Sequence, residues 1–278
     1  LSCETDNKRD NENDSTNRKE NEEDISNKKV NNEDKESKFD YENVKYPEGA
    51  TKGVFSVSDT KKVAFSKGNL QYQANTNTWR FAEHQYDMVG MGYGLTNEDK
   101  DCYVGGTVLN SDNREISSTY SGWIDLFGWG TGDNPTIAST DSYDYSTFVD
   151  WGVNKISNGG NVSNAWFTLS NDEWYYLLRD RTNAEEKQGV ACVNGINGLV
   201  LLPDNWILPD GAHFTSGFAS NDGYEYYKTV NTYTASEWTL MEEAGAVFLP
   251  AAGVRYGTSM CNVGTYGFFW SCTCSSRN

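Results

Sequence analysis

Histidine is nearly missing from this chain: His84 and His213 are the only two in 278 residues, and neither stands beside a nucleophile pattern. The motifs G-x-S-x-G and H-E-x-x-H and a phosphate-cradling glycine loop are missing too, so hydrolase, zinc-peptidase and nucleotide chemistry have no foothold in the sequence. No CxxC pair occurs, and the six cysteines (Cys3, Cys102, Cys192, Cys261, Cys272 and Cys274) follow neither a small disulfide framework nor a zinc spacing. A bridge from Cys192 to one of the late cysteines is left open by that spacing. No run of 18 apolar residues appears, so no segment reads as a membrane-spanning helix. Positive charge is scarce as well, with 23 Lys and Arg against 40 Asp and Glu and a formal net charge of −17. Nucleic-acid phosphates are repelled by such a surface, and no basic stripe offsets it; nucleic acid is excluded as a partner.

Aromatic residues are plentiful instead. With 9 Trp and 17 Tyr the chain has ample apolar area for a core despite its polar average. That area is unevenly placed. Through Asp40 the arm carries 13 acidic and 8 basic residues, with Ile25, Val30 and Phe39 as its only clearly apolar side chains after Leu1 and Cys3. Such a segment buries too little surface to offset its ordering entropy, so residues 1–48 read as a disordered acidic tether and 49–278 as one large irregular domain. Leu1-Ser2-Cys3 matches the end of a bacterial lipobox, whose cysteine bears a lipid after cleavage, and the acids Glu4 and Asp6 follow directly. Cys3 is the lipidation candidate, and that anchor is the only membrane contact expected.

Within the domain, many short strands and few helices predict the α+β class. Strands are expected within Gly53–Gln73 and at Thr78–Phe81, and a hairpin around Asn194-Gly195, a dipeptide that favours a two-residue turn. Met88–Asn113 and Asp125–Tyr145 read as loops. Helices are expected at Ser146–Ile156, from Ser170 to about Arg181, and at Ala235–Ala244 before a strand at Ala246–Leu249. Ser170-Asn171-Asp172-Glu173 has the form of a capping box, which accounts for Glu173 without an acid–base role. Acid clusters at Asp99–Asp101 and Asp141–Asp144 lack EF-hand spacing and read as solvated loops. Cys272-Thr273-Cys274 could bracket a soft metal, but reads better as loop drift, so no metal, cofactor or catalytic residue is expected. Trp123, Trp129, Trp151, Trp166, Trp174 and Trp270 read as core and frame.

The end of the chain is different in kind. After Val247-Phe248-Leu249-Pro250 come Ala251, Ala252, Gly253, Gly257, Gly264 and Gly267, a regular frame of small residues. Between them stand residues of unrelated chemistry: Arg255, Tyr256, Cys261, Tyr266, Phe268, Phe269, Cys272, Cys274 and Arg277. A core would select apolar volume, and a catalytic loop particular polar groups. A regular frame with a haphazard insert suits side chains presented for binding, and these nine are the candidate ligand-binding residues.

The run LPAAGVRYGTS…VGTYGFFWSCT resembles the C-terminal block of a family of Bacteroidetes surface proteins with a C-type-lectin-like fold, related to the formylglycine-generating enzyme fold. That family includes the major paralogous domain of Fibrobacter. Gly53–Gly90, Ser117–Gly132 and Trp166–Leu178 resemble the same family, so the resemblance covers the chain from about Gly53 onward. It implies a C-type-lectin-like scaffold with long ordered loops on an outer-membrane, surface-exposed lipoprotein. The family pattern continues past the WSCT segment with two more short strands and a closing strand that this sequence does not include; either the gene is truncated or frameshifted, which would leave an edge unpaired near the binding segment, or the fold closes differently. Some proteins of this fold group are the variable proteins of diversity-generating retroelements, in which asparagine AAY codons become other NNY codons. Cys261, Tyr266, Phe268, Cys272, Cys274, Ser275, Ser276 and Arg277 can all be encoded by NNY, whereas Trp270 cannot. The resemblance thus implies a non-enzymatic binder of a protein or glycan ligand, with residues 254–278 as its variable segment. A paralogue without diversification fits the same residues equally well, and a glycan-binding or adhesin module of fixed specificity is the first rival. A copper-dependent oxidase of the formylglycine-generating type is less well matched, because Cys272 and Cys274 stand at the wrong spacing.

Overall fold

The structure, a computed structural model, describes residues 2–4, 39–89, 102–103, 117–136, 147–217, 231–256 and 259–273. Residues Asp6–Lys45 form a separate unit, and the rest forms the main one. Within the small unit, the Phe39 and Tyr41 rings meet edge-on at 4.9 Å and Asn43 donates to Asp40 Oδ2 at 2.7 Å. The main unit is α+β. Its strands are β1 (Ser2–Glu4), β2 (Phe55–Ser56), β3 (Lys62–Phe65), β4 (Leu70–Gln73), β5 (Thr78–Phe81), β6 (Cys102–Tyr103) and β7 (Trp123–Ile124). After helix α1 (Asn171–Tyr175) come β8 (Gln188–Val193), β9 (Ile196–Leu201) and β10 (Thr232–Tyr233). Helix α2 (Ala235–Glu243) then leads to β11 (Val247–Pro250), β12 (Val254–Tyr256) and β13 (Ser259–Cys261).

The largest sheet has the order β10-β8-β9-β11, with β8, β9 and β11 antiparallel and β10 parallel to β8. The β8–β9 hairpin turns at Asn194-Gly195, where φ is +49° and +83°. A two-residue hairpin with a type I′ turn needs positive φ at both central positions, which Asn-Gly adopts readily. Helix α2 begins with a capping box made by Thr234 and Glu237 and buries Trp238 and Met241 against the sheet, next to Val193, Val200 and Phe248. A second apolar cluster, around Trp79, Phe81, Trp151, Ile156 and Trp166, lies on the sheet β5-β4-β7. A third joins Phe55, Val63 and Phe65 of the β2–β3 hairpin to Leu177, Leu201 and Val247. Asn231, fully buried, ties two loops to β8: its amide donates to Val190 O and Thr215 O at 2.8 Å, and its oxygen accepts from the Thr215 amide at 2.8 Å.

Three expectations differ from what is found. Ser146–Ile156 is no helix in its described part; only Trp151–Val153 makes a 3-10 turn. Val149 pairs with Thr131 instead, and Asp150 draws two amides to its carboxylate, Gly152 at 2.8 Å and Thr168 at 2.9 Å. The Gly152 amide is thereby satisfied outside a helix, as is that of Val149, which donates to Gly130 O at 3.1 Å. The Ser170 helix starts with its capping box but is α-helical only to Tyr175, continuing as a π turn through Asp180. The tether boundaries shift at both ends. Ser2–Glu4 pairs with β3, Cys3 lying opposite Ala64, while Tyr46 packs on the second cluster. Residues 5–38, most of the Met88–Asn113 loop and positions 137–145 of the Asp125–Tyr145 loop lie outside the described residues.

One charged group braces this arrangement. Asp204, just after β9, accepts from Ser56 Oγ at 2.6 Å and the Ser56 amide at 3.1 Å. Lys62 Nζ lies 3.0 Å and Arg181 Nη1 3.6 Å from its carboxylate, and Lys187 Nζ donates to its carbonyl at 2.8 Å. Burial opposes the Asp204 charge, but the Ser56 hydrogen bonds and the Lys62 ammonium outweigh it and hold the acid below its usual range. Arg181, buried to 3% exposure, has its guanidinium drawn down to about 10 by burial and so stays charged at neutral pH. Removing one partner of a buried pair strands the other. Asp204→Ala is therefore expected to cost about 3–5 kcal/mol in denaturant unfolding. Because the folded Asp204 is the stronger acid, its contribution is complete above the unfolded aspartate value of about 3.9 and is lost as pH falls through the folded value. Acid unfolding of Asp204→Ala should accordingly be shallower over that range than that of the wild type.

Candidate functional site

The site begins where β11 ends. Ala251 donates its amide to Asn197 O at 2.7 Å, Gly264 donates to Ala251 O at 2.7 Å, and the buried Asn197 amide reaches Gly264 O at 2.8 Å. These bonds return the chain to the large sheet after the β12–β13 hairpin. Gly253, at φ +73°, then donates to Tyr266 O at 2.8 Å. Gly267 has no room for a side chain, since a Cβ there would meet the Phe269 ring at 2.8 Å and Pro250 O at 3.0 Å. The frame of small residues is thus a set of close backbone approaches.

From Tyr266 the backbone is fastened and the rings are not covered. Trp270 Nε1 donates to Phe127 O at 2.9 Å, Trp174 Nε1 to Trp270 O at 3.2 Å, and Trp129 Nε1 to Ser271 O at 2.8 Å. Cys272 donates its amide to Leu169 O at 3.0 Å, and the Asn171 amide reaches Thr273 Oγ1 at 3.0 Å. Yet Tyr266 is 56% exposed, Phe268 55%, Phe269 40% and Trp270 48%. The Tyr266 and Phe268 rings lie 6.2 Å apart, and Phe269 leans toward Trp174 at 6.4 Å. Tyr266, Phe268, Phe269 and Trp270 thus expose four large aromatic side chains within five residues, and this strip is the candidate contact region.

The strip unites Tyr266, Phe268 and Phe269 from the nine sequence candidates, with Cys272 beside it. Arg255 is not on it. That side chain is buried and donates Nε to Leu126 O at 2.7 Å, so it supports the frame from within. Tyr256 lies in β12 and Cys261 in β13, their side chains outside the described residues, as are Cys274 and Arg277 altogether. Trp270, read from the sequence as frame alone, serves the frame through its N–H and the strip through its half-exposed ring. Trp151 and Trp166 are core as expected. The roles of Trp129 and Trp174 as anchors were not read from the sequence. A partly buried indole needs an acceptor, and that was the available signal.

Chemically the strip offers contact. Cys272 is a partly buried free thiol pushed up from its usual value, chiefly by burial and further by the Glu173 and Asp150 carboxylates. A thiol so placed is a poor source of thiolate. Cys192 is buried within β8. Among the described residues no group of three or more His, Cys, Asp or Glu could hold a metal ion, and no helix is long and apolar enough to cross a membrane. No protein-family model, curated protein or solved structure matches the chain.

Loss of an anchor should loosen the strip. Trp270→Phe keeps a ring but removes the N–H to Phe127 O, and a net hydrogen bond contributes about 0.5–1.5 kcal/mol. A stability loss of about that size in denaturant unfolding is expected, with faster hydrogen exchange at the Cys272 amide; unchanged exchange there would show that the indole does not hold the segment.

Proposed function

We propose that this chain is a surface-displayed ligand-binding protein whose contact region is the Tyr266–Trp270 strip, carried on a C-type-lectin-like scaffold. One observation carries the reading: a backbone held by three indole N–H donors with the neighbouring aromatic rings turned to solvent. Ordering costs are met in folding, so a ligand meets rings already in place, which favours affinity. Aromatic side chains have few torsions to freeze and a large apolar area, and they dominate the hot spots of protein interfaces. Attachment through a lipid on Cys3 and exposure at the outer membrane belong to the same proposal.

The rival of a glycan-binding module draws support from the same rings, which could stack on sugars. Against it, the Trp129, Trp174 and Trp270 indole donors are all spent on backbone carbonyls, leaving few polar groups on the strip to read hydroxyls. A protein partner with apolar anchor residues fits the strip better. The oxidase reading rests on Cys272 and Cys274, whose spacing is wrong for it.

The test compares wild type with Tyr266→Ala/Phe268→Ala/Phe269→Ala, both presented to a random-peptide display library and to a glycan array. Ligands retained by the wild type are expected to bind the triple variant at least about tenfold more weakly, a loss of about 1.4 kcal/mol or more, at an unchanged melting temperature. Equal retention by a folded variant would remove the proposal. Diversification is tested separately in sister-strain genes: substitutions should concentrate in the codons of Cys261, Tyr266, Phe268, Cys272, Cys274, Ser275, Ser276 and Arg277, whereas an even spread along the gene supports a fixed binder.

A further inference from the structure

Cys102 and Cys261 are far apart in sequence, yet β6 and β13 pair antiparallel with Cys102 directly opposite Cys261 and Tyr103 opposite Met260. Residues so placed have Cα atoms about 4.5 or 5.5 Å apart, according to whether the pair exchanges hydrogen bonds. A disulfide spans Cα separations of about 4.4–6.8 Å, so either kind of pair meets its reach. Directly opposite residues also share one face of the sheet. The other strand cysteines have no such register, for Cys192 lies opposite Asn197 and Thr232, and Cys3 opposite Ala64. The geometry points to a cross-strand disulfide between Cys102 and Cys261.

The bond would sit next to the contact region. Strand β13 returns along β12, with Cys261 opposite Val254, and Gly253 just before β12 bonds to Tyr266 O. In the small sheet β12-β13-β6, a covalent tie from the described part of β6, Cys102–Tyr103, to β13 fixes the hairpin from which the strip departs. Formation needs an oxidant, here a protein or small-molecule disulfide. The thiolate of one cysteine attacks that disulfide and expels a thiolate; the second cysteine attacks the mixed disulfide and expels the other. Two cysteine thiols are oxidised by two electrons to one S–S bond, and the oxidant's disulfide is reduced to two thiols that carry the two protons. The inference does not depend on the binding proposal, since the bond would form whether or not the strip has a ligand.

Peptide mapping of the full-length protein tests it. The chain is equilibrated with oxidised glutathione, alkylated under denaturing conditions without reductant, and cut with trypsin and chymotrypsin. Tyr266, Phe268 and Phe269 lie between Cys261 and Cys272, so chymotryptic cleavage separates the two. The expected product joins the Cys102 peptide to the Cys261 peptide at two hydrogens below their summed mass, separates on reduction, and is missing from Cys102→Ser and Cys261→Ser. Alkylation of both cysteines in the wild type would overturn the inference. So would a linkage of either one to Cys3, Cys192, Cys272 or Cys274, or glutathione on both.

Discussion

Three indole N–H groups set the character of this protein's C-terminal segment. Trp129, Trp174 and Trp270 each give their one donor to a backbone carbonyl, two of them on the segment itself and one linking it to Phe127. An indole can give up that hydrogen bond only at the cost of an unmet donor wherever water is excluded, so the bonds fix backbone position while leaving the rings' apolar faces uncommitted. The same residue type thereby supplies anchorage and contact area.

Beneath the strip the scaffold is braced by polar residues buried among apolar ones. Asn197, near the start of β9, reaches Gly264 O; Asn231 joins Val190 and Thr215; Gln85 accepts from the Phe248 amide and donates to Ala246 O at 3.2 Å. Asp204 gathers Ser56, Lys62, Arg181 and Lys187. The long loops of this fold leave many backbone groups without ladder partners, and such side chains satisfy them. They also explain how few regular elements can carry so much chain.

Much of the scaffold was legible in the sequence because it rests on local rules. The Asn194-Gly195 turn, the Ser170 capping box and the strand leading to Pro250 each follow from short patterns with one dominant physical cause. The failures are nonlocal. Phe148, Trp151 and Ile156 have helical spacing, but Asp150 takes the Gly152 and Thr168 amides, a competition invisible until Thr168 is brought near. Arg255 looked like a presented guanidinium because its neighbours vary in chemistry, yet Leu126 O, distant in sequence, draws it inward. The aromatic strip was legible as composition. Its fastening was not, since the acceptors Phe127 and Leu169 belong to other parts of the chain.

The central claim is that the strip's rings face water while its backbone is fixed. Hydroxyl-radical footprinting of the intact protein reads side-chain accessibility residue by residue. Phe268 and Phe269 should oxidise far faster than the buried Phe55 and Phe81, and Trp270 far faster than Trp166. Equal protection of Phe268, Phe269 and the core phenylalanines would mean that the rings are covered, and the account of a prepared contact surface would be contradicted.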